Sequence, residues 1–156
     1  MLKLILETIW LLLPAGVANT VPVFAAKYNW FPAFNRPISQ RFLGAHKTWR
    51  GVAAGIIFGS ITGVLLGHGA IFGAILGAGA LAGDAVKSFF KRLLKIAPGK
   101  PWPVFDQIDS VVGALAIAWF FIPITYAHAA IAIIIFGPIS FLVSYLGVKL
   151  KIKNSL

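Results

Sequence analysis

Cysteine is absent from this sequence, which excludes disulfide cross-links, thiolate metal centres and a cysteine nucleophile. Acidic side chains are scarce: Asp and Glu total 4 in 156 residues against 14 Lys and Arg, and charged residues of either sign make up only 12%. Soluble domains carry about twice that charged fraction, so the chain lacks the means to cover itself with a water-facing surface. It also lacks a convincing internal repeat and a low-complexity linker, and no soluble domain is left once the apolar runs are set aside. Residues 1–156 therefore read as one transmembrane domain.

What is there is apolar. Hydrophobic residues reach 59%, with 16 Gly and 9 Pro, both better tolerated in membrane helices than in soluble ones. The first apolar run is preceded only by Lys3 and carries Glu7 and Asn19, which suits neither a cleaved signal peptide nor a passive anchor. The formal charge of +10 would suggest nucleic acid in a soluble protein. In a membrane protein basic loops set orientation and touch anionic lipid, so the expected partner is the bilayer and not nucleic acid.

A hydrocarbon core about 30 Å thick takes roughly twenty helical residues to cross. Counting runs of that kind predicts an all-α integral membrane protein with about five transmembrane helices, at Leu4–Ala26, Gly51–Leu66, Gly69–Phe89, Ile108–Tyr126 and Ala129–Leu146. Tight turns at 66–69 and 126–129 alternate with long basic loops at 27–50 and 90–107. Placing both long loops in the cytoplasm puts Lys27, Arg36, Arg41, Lys47, Arg50, Lys91, Arg92, Lys95, Lys100, Lys149, Lys151 and Lys153 inside, with the N-terminus outside and the C-terminus cytoplasmic. Trp30, Trp49 and Trp102 fall in or beside these loops, where an indole sits at headgroup level, and the stretch with Pro32 and Pro37 must be irregular or a broken helix. Small residues from Gly69 to Gly83 give the third span the spacing that lets helices approach closely.

Three of the four carboxylates, Asp84, Asp106 and Asp109, flank one of the basic loops. An aspartate at the centre of a membrane span costs about 2.5–3.5 kcal/mol on insertion scales, so Asp84 needs a reason. Pairing with Lys87 or Lys91 is the structural alternative. Asp106 and Asp109 share a helical face at the start of the fourth span, where they can also serve as dipole-favoured capping groups. Converging, the three carboxylates would suit a hard cation such as Mg²⁺ that takes the rest of its shell from water and phosphate. Lys87, Lys91 and Lys95 follow at four-residue intervals, a repulsive stripe that makes sense along a polyanion, with lipid headgroups as the rival anion. Ser88 could donate to a phosphate or bond its own backbone. On the other long loop, Arg41, Gly44, His46, Lys47, Thr48, Arg50 and Gly51 offer a second group of phosphate donors, without the spacing of a Walker loop. His68 and His128 sit in the predicted outer turns, His46 stands alone, and all three read as solvated.

Gly83-Asp84, Ser88, Lys91-Arg92, Lys95, Pro98-Gly99 and Asp106-x-x-Asp109 together resemble the signature of CTP-dependent phosphatidate cytidylyltransferases. The short archaeal relatives, the CDP-archaeol synthases, are more similar still, through Asn19 and Pro22 in the first helix and the run from Gly44 to Gly51. Ile96, Lys100 and Gln107 depart from the bacterial and eukaryotic pattern. The resemblance implies an enzyme that transfers CMP from CTP to 2,3-bis-O-geranylgeranylglycerol 1-phosphate, an isoprenoid ether-lipid phosphate, and releases pyrophosphate. It implies Asp84, Asp106 and Asp109 as Mg²⁺ ligands, and Lys87, Ser88, Lys91, Arg92 and Lys95 as holders of the CTP phosphates. Lys47, Thr48 and Arg50 would close the site from the other loop, with Asp84, Lys87, Lys95 and Asp106 at its catalytic centre. Asn19 would order the first helix against the site or, as the favoured reading, support a kink near Pro22 by hydrogen bonding. A transporter or channel subunit is the alternative reading of intramembrane carboxylates, but their gathering on one side does not suit an ion path.

Overall fold

The computed structural model describes residues 1–97, 100, 102 and 104–150. Five α-helices follow one another: α1 Leu2–Lys27, α2 Trp49–Leu65, α3 Ala70–Leu93, α4 Phe105–Ala118 and α5 Tyr126–Lys149. By length and composition α1, α3 and α5 are each able to cross a membrane, while α2 is a shorter apolar helix of 17 residues. The architecture is the expected all-α membrane bundle. Lys151 and Lys153, expected on the cytoplasmic side, lie outside the described residues.

The fourth span is shorter than its apolar run. Helix α4 stops at Ala118 rather than at Tyr126, and the 126–129 turn expected outside is the first turn of α5. Pro123 accounts for the break, because it disfavours helical backbone at Ile122 and carries no N–H of its own to donate. Thr125 then starts α5 through a capping box, its hydroxyl accepting from the His128 N–H while His128 Nδ1 accepts from the Thr125 N–H at 3.3 Å. His68 is likewise engaged, with Nε2 3.1 Å from the Trp10 carbonyl.

The interior is built from small residues. Ala15, Ala18, Ala54, Ala80, Ala114 and Ala132 are buried, whereas Trp10, Ile57, Ile71, Ile134 and Phe141 face outward. That inversion of the soluble pattern leaves the large apolar groups for lipid and lets backbones pack closely. The α3–α4 crossing is the tightest consequence. A methyl on Gly83 would run into the Asp109 carbonyl oxygen and lie 3.0 Å from Gly113 Cα, so only glycine permits this approach.

The long first loop is irregular as expected, with a single 3-10 turn at Pro32–Phe34. Beyond it, residues 36–49 fold back on themselves: Pro37 and Thr48 form an isolated antiparallel bridge, Ile38 N–H donates to the Lys47 carbonyl at 2.8 Å, and Trp49 N–H donates to Arg36 at 3.1 Å. Trp30 stacks on Phe58 at 5.5 Å and Trp102 on Phe105 at 4.4 Å.

Candidate active site

The Gly83–Gly113 crossing brings the C-terminal half of α3 against the first turns of α4, and this sets the carboxylates side by side. Lys87, one turn after Asp84, reaches all three. Its Nζ lies 3.1 Å from Asp84 Oδ1, 3.1 Å from Asp106 Oδ1 and 2.7 Å from Asp109 Oδ2. Lys91, a further turn along, sits 3.1 Å from Asp106 and donates to the Lys100 carbonyl at 2.6 Å. The folded-back 36–49 segment delivers Lys47 to Asp84 Oδ2. Three carboxylates and three ammonium groups thus form one formally neutral, largely buried cluster; the Asp109 side chain is only 6% exposed.

The pairing of Asp84 with Lys87 is also realised, whereas no side chain caps α4: its N-cap is Val104, and Asp106 Oδ2 instead accepts from the Trp102 N–H at 2.5 Å, tying the preceding loop to the helix. Asp109 Oδ1 accepts from the Ser110 N–H at 2.7 Å. These roles coexist with the cluster, since each carboxylate has a second oxygen that contributes to it.

Two arginines stand beside the cluster without a carboxylate. Arg50 is buried and donates from Nη1 to Asn29 Oδ1 at 2.8 Å, and its Nε has no partner among the described residues. Arg92 donates to the Ile96 carbonyl, lies against Gly44, and also leaves its Nε unpartnered. Buried N–H groups with nothing to donate to are costly; in sequence Arg92 follows the cluster's Lys91 and Arg50 lies three residues after its Lys47. Asn29 was not anticipated. It follows α1 in left-handed backbone, φ 53°, a conformation asparagine adopts more readily than most residues, and its position directly after an apolar helix is the signal that identifies it.

Other expected residues are placed differently. Lys95 leaves the Lys87–Lys91 stripe because α3 ends at Leu93 in a Schellman motif: Lys95 takes φ 57°, its N–H donates to the Arg92 carbonyl at 3.0 Å, and Ile96 N–H donates to Lys91 at 2.8 Å. Lys95 is consequently exposed and off the helical row. Ser88 donates its hydroxyl to the Asp84 carbonyl at 2.8 Å, so that proton is committed within the helix. Thr48 is the N-cap of α2, accepting from the Gly51 N–H at 3.2 Å. Asn19 has no side-chain hydrogen bond among the described residues, so the expected support of Pro22 is not formed. Arg41 stacks over Phe42 and His46 is exposed. Pro98 and Gly99 lie outside the described residues.

The donor set suits a hard divalent cation by chemistry: carboxylate oxygens from two helices share one cationic centre. As they stand, no three His, Asp or Glu groups among the described residues are placed to ligate a metal. The Lys87 ammonium stands where such a cation would sit, 2.7–3.1 Å from an oxygen of each carboxylate.

The helical membrane bundle gathers three carboxylates and three lysine ammonium groups into one cluster. A family model described as CarS-like, CDP-archaeol synthase, matches residues 1–156, and the chain belongs to the CDP-archaeol synthase family. The CDP-archaeol synthase of Aeropyrum pernix is 41% identical over 128 residues, covering 73% of this chain and 70% of that protein. That of Methanocaldococcus jannaschii is 32% identical over 171 residues, covering 97% of each. A solved structure described as "Structural insight into an intramembrane enzyme for archaeal membrane lipids biosynthesis" is similar with a TM-score of 0.73 and 34% identity, over 96% of this chain and 95% of that one.

Proposed function

We propose that the Asp84–Asp106–Asp109 cluster is the catalytic centre at which CMP is transferred from CTP to the phosphate of an isoprenoid ether lipid. Family membership makes the chain a CTP-dependent cytidylyltransferase of archaeal membrane-lipid synthesis. The finer reading concerns the acceptor, the metal and the side of the membrane. The acceptor is 2,3-bis-O-geranylgeranylglycerol 1-phosphate or a close isoprenoid ether relative. Its phosphate oxygen attacks the α-phosphorus of CTP, a P–O bond forms to the lipid, the bond to the β-phosphate bridge breaks, and pyrophosphate departs.

A lipid phosphate is already an anionic nucleophile at neutral pH, so no serine, cysteine or histidine has to be activated. The barrier lies in bringing two polyanions together and in the charge on the leaving pyrophosphate. Mg²⁺ held by Asp84, Asp106 and Asp109 would supply charge neutralisation there. Lys47, Lys87 and Lys91 sit within the cluster as donors to phosphate oxygens, and Arg50 and Arg92 add the guanidinium N–H groups that lack protein acceptors. Thr48 contributes by starting α2 and so fixing Lys47 and Arg50 on either side of itself. Lys95, exposed beyond the helix end, is suited to the entering nucleotide's outer phosphates rather than to the centre.

The basic loops carrying these residues support a cytoplasmic site, with the N-terminus outside and the C-terminus in the cytoplasm. There CTP arrives from water while the acceptor's chains stay in lipid. The observation that carries the reading is the convergence of three carboxylates on the Lys87 nitrogen. The test is purified protein incubated with labelled CTP, Mg²⁺ and ether or ester lipid phosphates. A CDP-lipid and pyrophosphate are expected with the isoprenoid ether substrate, and no product with any of these lipids would refute the proposal.

A further inference from the structure

We propose that Lys87 is a resident counter-ion of the metal site, occupying the position a divalent cation takes and swinging out toward the nucleotide's phosphates as that cation enters with CTP. The inference rests on the metal reading above and extends it to the order in which ligands bind. Among the described residues Lys87 is the one cation that touches all three carboxylates, with a single nitrogen 2.7–3.1 Å from an oxygen of each. A metal ion drawing those oxygens to about 2.0–2.1 Å cannot share the space with the ammonium.

Charge points the same way. With Lys47, Lys87 and Lys91 in place the cluster is formally neutral, so a bare divalent cation approaching it meets no net attraction and two or three ammonium groups at close range. A cation carried in on a nucleoside triphosphate brings its own anions. The Lys87 stem is flexible and leaves α3 one turn after Asp84, so its ammonium can pass from carboxylate to phosphate. Lys91 and the Trp102 N–H keep hold of Asp106 meanwhile. Lys87 then keeps the carboxylates gathered while the site is empty, makes the nucleotide a condition of metal entry, and meets the nucleotide's phosphates once displaced.

The experiment measures Mn²⁺ binding to nucleotide-free protein in detergent by electron paramagnetic resonance, together with the Tm change Mn²⁺ produces. Wild type should bind weakly and show no Tm rise with Mn²⁺ alone, but a rise with Mn²⁺ and CTP together. Lys87→Met, which removes the charge and keeps the stem, should bind Mn²⁺ without nucleotide roughly tenfold or more tightly than wild type. Lys87→Gln serves in its place if the methionine variant does not fold, and Lys87→Arg, retaining the charge, should behave as wild type. A residue needed only for folding would not raise metal affinity when neutralised. If the neutral variants bind no better than wild type, or wild type binds tightly without CTP, the proposal is wrong. If Mn²⁺ with CTP leaves the wild-type Tm unchanged as well, the metal reading falls with it.

Discussion

Replacing Gly83 by alanine tests whether the helix crossing places the carboxylates of Asp84, Asp106 and Asp109 for the proposed reaction. The added methyl would collide with the Asp109 carbonyl oxygen and stand 3.0 Å from Gly113 Cα and 3.1 Å from the Asp109 carbonyl carbon, where ordinary contacts begin at 3.4 Å. All of these are backbone atoms, so relief requires α3 and α4 to part by about one ångström. Overpacking of this kind costs about 1–3 kcal/mol, offset in part by the roughly 1 kcal/mol that alanine gains over glycine in a helix. The net loss of stability should be modest, visible as a lower Tm by intrinsic tryptophan fluorescence in detergent. Activity should suffer more, because a displacement near 1 Å at a reacting centre can cost about 10²-fold. Gly16→Ala is the control: its methyl meets only Phe136 Cε1 at 3.8 Å, and both Tm and turnover should hold. Wild-type turnover in Gly83→Ala would show that the crossing does not set the site.

Asp84→Asn and Asp106→Asn should each lower turnover by about 10²-fold or more while the protein still extracts as a folded monodisperse species, the range expected when electrostatic preorganisation is removed; near wild-type rates in either would remove that residue from the ligand set. Ser88→Ala should change kcat/KM by less than about threefold, because the hydroxyl is bonded within its own helix; a tenfold loss in the CTP titration would show that Ser88 touches the nucleotide. Asn29→Ala removes the protein acceptor of the Arg50 guanidinium and should destabilise by about 1–2 kcal/mol, read as a Tm decrease that CTP partly restores by giving Arg50 another acceptor. Thr48→Ala should cost about 1 kcal/mol as a lost cap, and Thr48→Ser should recover it.

Much of this site is legible from spacing. Aspartates at 106 and 109 share a face, and Lys87 and Lys91 stand one and two turns beyond Asp84, so helical periodicity alone predicts that they can meet. What periodicity does not reveal is where a helix stops. Lys95 continues the four-residue rhythm on paper, yet the Schellman turn after Leu93 carries it off the row. Pro123 is visible in the sequence, but the apolar run through it looks continuous, and the end of α4 at Ala118 is hidden by that continuity. Competition for a shared partner is also illegible. Spacing offers Asp84 with Lys87 as a structural pair and the three aspartates as a converging set, as though one excluded the other, and only the packing of α3 on α4 shows all three aspartates meeting on the Lys87 nitrogen. The role of Asn29 is not legible in the sequence, because its partner Arg50 lies 21 residues away and the pair depends on the tertiary meeting of α1 with α2.

The most direct measurement of the central claim is an anomalous difference map from crystals of the protein grown with Mn²⁺ and CTP. A peak bounded by the carboxylates of Asp84, Asp106 and Asp109, bridging to the nucleotide's phosphates and with the Lys87 ammonium displaced, is the expected result. Nucleotide bound with no peak there, or with the ion held by other side chains, would contradict it.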